Sequence, residues 1–202
     1  GPNGFPQLQR DSAAEFVEIH YDEAGWEDRV MYLDGKGLPA AGPDSAFGQE
    51  MRHNDVGQLT CILSLDAEGH RMIDDAGNSG MQPKYDEKGY EIEAISVDTD
   101  LKPRPVKDGW VITKHQYDRF GRNCRSTYHD VNGEPVLSRK DGYHGWQADY
   151  DEHGNERVMT YLGLDGKPML IAGYATLKSS HDSRGNETRK NYYGVNGEPV
   201  LS

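Results

Sequence analysis

An internal period near 32 residues constrains this chain more than any single motif does, because a repeat too short to bury its own apolar face must stack on its neighbours. The octapeptide VNGEPVLS stands at 131–138 and again at 195–202, 64 residues apart. Halving that offset exposes a five-residue signature: Tyr or His, then Asp or Asn, two variable residues, and Gly. It ends at Gly25, Gly57, Gly89, Gly121, Gly154 and Gly185, with spacings of 32, 32, 32, 33 and 31 residues.

Counted from that glycine, position seven holds Tyr32, Tyr128, Tyr161 and Tyr192, with Ser64 and Ser96 in the other copies. Position twelve holds Gly37, Gly69, Gly133, Gly166 and Gly197, with Leu101 as the exception. Position fourteen holds Pro39, Pro103, Pro135, Pro168 and Pro199, with Arg71 as the exception. A third mark, twelve residues before each following signature glycine, falls on Gly77, Gly109, Gly142 and Gly173, with Ser45 in the first copy. Trp110, Tyr143 and Tyr174 follow three of these glycines, whereas Ala46 and Asn78 take that place elsewhere. Much of the surplus of 24 glycines and 12 tyrosines is therefore architectural.

Turn signals separated by seven to nine residues suit strands better than helices. The signature glycine can take positive φ, and the Asp or Asn three residues before it can cap its own turn through its side chain. The second turn pairs Asn or Asp with Gly, as in Asn132, Gly133 and Asp165, Gly166, a strong hairpin signal, and the proline that follows marks a strand start or edge. Segments such as ERVMTYL (156–162) and YEIEAISV (90–97) are rich in β-branched and aromatic residues. The expected fold is all-β: an elongated array of about six 32-residue β-hairpin repeats, a solenoid or twisted strip. Residues 1–12, where Asn3, Gly4 and Pro6 repeat the second turn, read as the end of a truncated preceding repeat and a connector. Residues 13–202 read as one continuous array that stops in mid-repeat at Ser202, so the chain reads as a monomeric fragment of something longer.

The net charge of −12 repels phosphate backbones, so nucleic acid is not expected as a partner. No stretch approaches the roughly 20 apolar residues of a membrane span, and no membrane insertion is expected. The eight histidines show no metal-binding spacing, and no nucleophile elbow, phosphate loop or dinucleotide fingerprint is present, so neither a catalytic site nor a cofactor is expected. The Asp series at the turns invites calcium, but one Asp per turn falls short of six to eight oxygen ligands, and turn capping explains it; no metal is expected. Cys124 lies near Arg119, Arg122 and Arg125 but reads as a strand thiol, and no disulfide with Cys61 is expected.

The Tyr, Asp, any, any, Gly signature resembles the tandem YD repeats of bacterial surface and toxin-shell proteins. The segments TYLGLDGKPMLIAGY (160–174) and NYYGVNGEPVLS (191–202) also resemble half of a glucan- or choline-binding cell-wall repeat. The resemblance implies a bacterial, non-catalytic, extracellular or cell-surface module and supplies no ligand. The signature tyrosines Tyr21, Tyr85, Tyr117 and Tyr150 read as packing between repeats. The aromatics at variable places, Trp110, Tyr143 and Tyr174, together with Trp146 in the glycine-flanked GYHGW, are the candidate ligand-binding residues, with packing as their other reading. The function expected is a repeat module binding glycan or protein along an extended face; the alternative is a structural spacer or shell without a ligand of its own.

Overall fold

The computed structural model describes residues 14–200. The expected connector at 1–12, with its Asn3, Gly4, Pro6 turn, and the chain end at Ser202 lie outside the described residues. Apart from one turn of 3-10 helix at Pro43–Ser45, the described regular structure is all β-strand.

The chain divides into two compact units, residues 14–85 with 94–107 and residues 86–93 with 108–200. The first holds β1 (Phe16–Tyr21), β2 (Glu27–Leu33), β3 (Gly48–His53), β4 (Leu59–Leu65) and β5 (Gly80–Tyr85). β6 (Glu91–Val97) gives its first three residues to the second unit and the rest to the first. The second unit continues with β7 (Ile112–Tyr117), β8 (Asn123–His129), β9 (Gly145–Tyr150), β10 (Glu156–Leu162), β11 (Thr176–His181), β12 (Glu187–Tyr193) and β13 (Pro199–Val200). Within each unit the strands pair antiparallel in chain order.

The turn backbone is the same at both kinds of hairpin end, and an Asp or Asn cap accompanies it except where Gly163 and Gly194 take the capping place in the last two second turns. At the signature turn the Gly121 amide donates to the Asp118 carbonyl (3.0 Å), and the Asp118 amide donates to the Arg122 carbonyl (2.9 Å). Asp118 Oδ1 accepts from the amides of Phe120 (2.8 Å) and Arg122 (3.0 Å), which is the side-chain cap expected. The Asn132, Gly133 turn forms a hairpin of this same three-residue type. The Gly133 amide donates to Asp130, and the cap comes from Asp130 Oδ1, not from Asn132. Only the glycine has positive φ (84°), so this is a type I turn closed by a left-handed glycine, not the two-residue primed turn that Asn-Gly also favours. A two-residue primed turn occurs instead at Ala172 (φ 49°) and Gly173 (φ 96°), where Ile171 and Tyr174 exchange both backbone hydrogen bonds.

Five signature hairpins carry a bulge that period-two reading does not show. Gln116 pairs with Arg125 but Tyr117 pairs with Asn123, leaving Cys124 unpaired; Thr60, Arg157 and Thr188 are skipped in the same way. Thr60 and Thr188 donate their hydroxyls to the carbonyls of Arg52 and Ser180 at 3.1 and 3.0 Å. Cys124 Sγ makes the corresponding contact with the Gln116 carbonyl at 3.5 Å, so the thiol stands in for a threonine hydroxyl.

The prolines at position fourteen bridge back to the second strand of their own hairpin, as in Leu33 with Pro39, His129 with Pro135 and Leu162 with Pro168. Proline fits there because it accepts a bridge without needing to donate. The cores are small. In the first unit Ala14, Val30, Tyr32 and Ala40 form one cluster, and Cys61, Leu63 and Val97 another. Leu101 packs on the second cluster while holding φ 66° where five other copies have glycine, a conformation that costs an L-residue about 1–2 kcal/mol.

Candidate functional site

In the second unit, two repeat positions that are distant along the chain interleave into one aromatic ladder. Trp110, Tyr128, Tyr143, Tyr161, Tyr174 and Tyr192 follow one another with ring centroids 5.7, 6.2, 5.0, 5.7 and 4.8 Å apart. The first three contacts are stacked, the fourth is tilted by 48°, and the last is edge-on. Position seven and the residue after the third glycine thus alternate as rungs. Backbone pairing holds them there. The Tyr128 amide donates to the His144 carbonyl and the Tyr128 carbonyl accepts from Val136; Tyr161 does the same with Ala175 and Met169.

Every rung is half-buried. Burial pushes the Tyr128 hydroxyl up to about 12, and the phenols of Tyr143 and Tyr161 move the same way for the same first reason. Those three phenols therefore stay neutral at ordinary pH; the Tyr161 and Tyr174 hydroxyls lie 3.4 Å apart. Because Tyr143 has a ring on both sides, its faces are spent on neighbours, and so are those of Tyr128 and Tyr161.

Of the four residues read from sequence as ligand candidates, the structure brings Trp110, Tyr143 and Tyr174 into this ladder. Trp146 lies apart on β9, half-buried, paired with Ser126 and Tyr161, and among the described residues no ring stacks on it. The variability that marked the three as solvent-tolerant has another cause in the first unit. There the corresponding rungs are Tyr32, Ala46, Ser64, Asn78 and Ser96, all buried. Ser64 Oγ donates to Asp74 at 2.7 Å and Asn78 Nδ2 to the Gly80 carbonyl at 2.7 Å, so small polar residues replace rings without opening the position to water.

The signature tyrosines Tyr117 and Tyr150 form a second device that ties their repeats to the ones before. Tyr117 donates its hydroxyl to the Glu91 carbonyl (2.8 Å) and Tyr150 to the Asn123 carbonyl (2.7 Å), each two residues past the preceding signature glycine. The residue just after that glycine covers the ring: Tyr90 stacks on Tyr117 at 4.9 Å, the Arg122 guanidinium lies 4.9 Å from the Tyr150 centroid, and Trp26 stacks on His53 at 6.0 Å. Tyr21, in the first described hairpin, is 58% exposed.

Two further groups carry chemistry that the sequence did not flag. His115 Nδ1 lies 2.8 Å from Ser126 Oγ and its Nε2 lies 3.7 Å from Glu91 Oε1, the composition of a nucleophile, base and orienting acid. Asn123 Nδ2 donates to the same Ser126 Oγ at 3.0 Å. Ser126 is only 7% exposed, and burial disfavours the charged forms of both His115 and Glu91. A hydrogen-bonded core is what that arrangement makes. A shallow groove of about 240 Å³ lies over Gln116, Cys124, Arg125, Gln147, Asp149 and Thr160. It is smaller than the 300–1,000 Å³ usual for small-molecule sites, and it includes neither Ser126 nor any rung of the ladder. At the turns one oxygen of each capping Asp is occupied by amides, as Asp151 Oδ1 is by those of His153 and Asn155.

No protein-family model and no curated protein matches the chain. Among solved structures it is similar to TcdB2-TccC3 without its hypervariable C-terminal region, at 13% identity over 84% of this chain and 9% of that one, with a TM-score of 0.42. It is similar also to TcdB2-TccC3-Cdc42, at 12% identity over 91% and 12% with a TM-score of 0.37. A third is the Tc holotoxin pore of Photorhabdus luminescens, at 10% identity over 89% and 12% with a TM-score of 0.25. The chain spans 9–12% of the length of those chains.

Proposed function

We propose that this chain is a non-catalytic structural module, a spacer or shell built of stacked hairpin repeats within a larger bacterial secreted or cell-surface protein. The observation that carries this reading is the ladder: its inner rungs, the ligand candidate Tyr143 among them, spend their faces on neighbouring rings. A glycan platform needs an open ring face, whereas a packed stack contributes roughly 0.5–1.5 kcal/mol per pair beyond the area it buries. The motif resemblance to YD and cell-wall repeats supports the extracellular placement.

A second reading, binding of glycan or protein along one face, is favoured at one residue. Trp146 is the aromatic candidate without a stacking partner among the described residues, and Trp110, Tyr143 and Tyr174 are half-buried, not fully covered. Glycan-array screening of the chain beside its alanine variants separates the two. The spacer reading expects no glycan bound. It also expects Trp110→Ala, Tyr143→Ala and Tyr174→Ala each to lower the melting temperature by about 5 °C, as a loss near 2 kcal/mol would do in a chain of this size. A glycan retained by the native chain and lost in Trp146→Ala, with unchanged melting, would overturn it in favour of binding.

A further inference from the structure

Position eleven of the repeat, just before the glycine of the second turn, holds Lys36, Glu68, Asp100, Asn132, Asp165 and Asn196. At Asn132 the turn leaves the side chain idle. The Asn132 backbone amide donates to Asp130 Oδ1 at 2.8 Å, so Asp130 supplies the cap and the Asn132 carboxamide stands exposed at the tip. Most other asparagines are tied down. Asn54, Asn78, Asn123, Asn155 and Asn186 each donate Nδ2 to a neighbouring oxygen at 2.7–3.0 Å, and Asn191 accepts from Arg189 Nε at 3.2 Å. Among the described residues only Asn132 and Asn196 have side chains without a hydrogen bond, and both precede a glycine. Asn132 lies inside the array, between β8 and β9.

The glycine matters because it has no side chain to shield its nitrogen from Asn132 Cγ. A Cβ at Gly133 would meet nothing within 4 Å, so no neighbour pins this peptide. Its amide is held by one bond, to the Asp130 carbonyl at 3.1 Å, and opening that bond frees the nitrogen.

We propose that Asn132 is a site of spontaneous covalent modification: deamidation through a cyclic imide formed with Gly133. The Gly133 nitrogen gives its proton to a solvent base and attacks Asn132 Cγ. A new C–N bond forms, the Cγ–Nδ2 bond breaks, and the side-chain nitrogen takes up a proton and leaves as ammonia. Water then opens the imide. Attack at Cγ leaves an aspartate in the original main chain; attack at the backbone carbonyl leaves an isoaspartate, whose main chain runs through Cγ and is one carbon longer. The repeat already accepts the first product, since Asp165 holds the same place before Gly166, with its carboxylate 3.7 Å from the Lys167 ammonium. The second product lengthens a turn closed by Gly133 on Asp130 and capped by Asp130 Oδ1 on the Asn132 and Glu134 amides, so these bonds lose their common geometry. The loosened end adjoins the aromatic ladder, where the Val136 amide donates to the Tyr128 carbonyl at 3.1 Å. The modification is independent of whether the module is a spacer or carries a ligand.

Ageing the whole folded chain in mildly alkaline buffer, followed by tryptic digestion and mass spectrometry, tests it. Trypsin cuts after Arg125 and Arg139, so residues 126–139 carry Asn132 and no other asparagine. That peptide is expected to gain about 1 Da and to separate into two products, while the peptides of Asn54, Asn78, Asn123, Asn155 and Asn186 stay unchanged. Asn132→Gln, whose longer side chain closes such a ring far more slowly, is expected to abolish the gain. The aged native chain is expected to melt about 3 °C below the equally aged Asn132→Gln chain, the effect of a lost hydrogen bond in a chain of this size. Fresh Asn132→Asp is expected to melt with the fresh native chain. No gain in residues 126–139 of the folded chain, or a gain no greater than at the tied asparagines, overturns the site. Aged chains that melt together overturn the loosening of the turn.

Discussion

Arg71 shows how a single residue that breaks the repeat can serve the fold differently. Five copies carry proline there, and Arg71 keeps the proline's backbone bridge, to Leu65. Its guanidinium grips Glu50 with two hydrogen bonds, Nε to Oε2 at 2.9 Å and Nη2 to Oε1 at 2.8 Å, while Arg52 Nη2 adds a third at 2.9 Å. These bonds outweigh burial and hold the Glu50 carboxyl below its ordinary value of 4.5. A carboxyl depressed in the folded state contributes stability that is present above its unfolded value and is lost as pH falls through the folded one. Arg71→Met should therefore lower stability by about 1 kcal/mol at neutral pH, a charged hydrogen bond discounted for partial exposure. In urea titrations the gap between native and variant should narrow as pH drops below about 4.5 and nearly close once the carboxyl is protonated in both states. A gap unchanged from pH 7 to pH 2 would mean that Arg71 acts through packing and not through its charge.

At the scale of the hairpin, the two glycine turns share a backbone but differ in what crowds them. Gly121 (φ 80°) lies against the Tyr90 ring, so an added Cβ would meet the side chain that covers Tyr117. Gly133 (φ 84°) has nothing within 4 Å of that position. Gly133→Ala should thus cost only the left-handed backbone penalty, about 1–2 kcal/mol, and Gly121→Ala should cost more because the inter-repeat clamp must also shift. Equal losses in chemical denaturation would mean that the Tyr90 contact is dispensable. The period, the turn positions and the capping Asp of the signature turn were legible in the sequence, because φ sign and side-chain capping are local properties of a few adjacent residues; the cap of the second turn by Asp130 was not. The bulge at Cys124 was not, since it depends on which residue of a facing strand is skipped. Nor was the ladder. Tyr143 and Tyr161 are 18 positions apart and meet only through strand pairing, so each was read as a separate position and Tyr143 as a candidate ligand-binding residue with packing as its other reading. The first unit corrects that inference, because Ala46 and Asn78 are buried at places where variability had suggested exposure.

For the chain as a whole, a fold whose repeats dock in one register should tolerate loss of one of them. Deleting residues 121–153, 33 of the 202, joins Phe120 to Gly154 and rebuilds the signature turn as Tyr117, Asp118, Arg119, Phe120, Gly154. β7 would then face β10 as it now faces β8, with Tyr161 in the place of Tyr128, next to Trp110 in the ladder. Clamp residues change type but keep their positions: Tyr90 still follows a signature glycine and Tyr117 still reaches back to Glu91. Stability in such an array is close to a sum of repeat and interface contributions, and the urea m-value follows the surface exposed on unfolding. The shortened chain is expected to fold, with an all-β circular dichroism spectrum and a total m-value lower by about one sixth. A chain that collapses into an unfolded ensemble would show that the repeats depend on contacts specific to residues 121–153, with the buried His115, Ser126 and Asn123 network as the first place to look. An unchanged m-value would show that this stretch contributes little buried surface, against the pairing of β8 and β9 that the register requires.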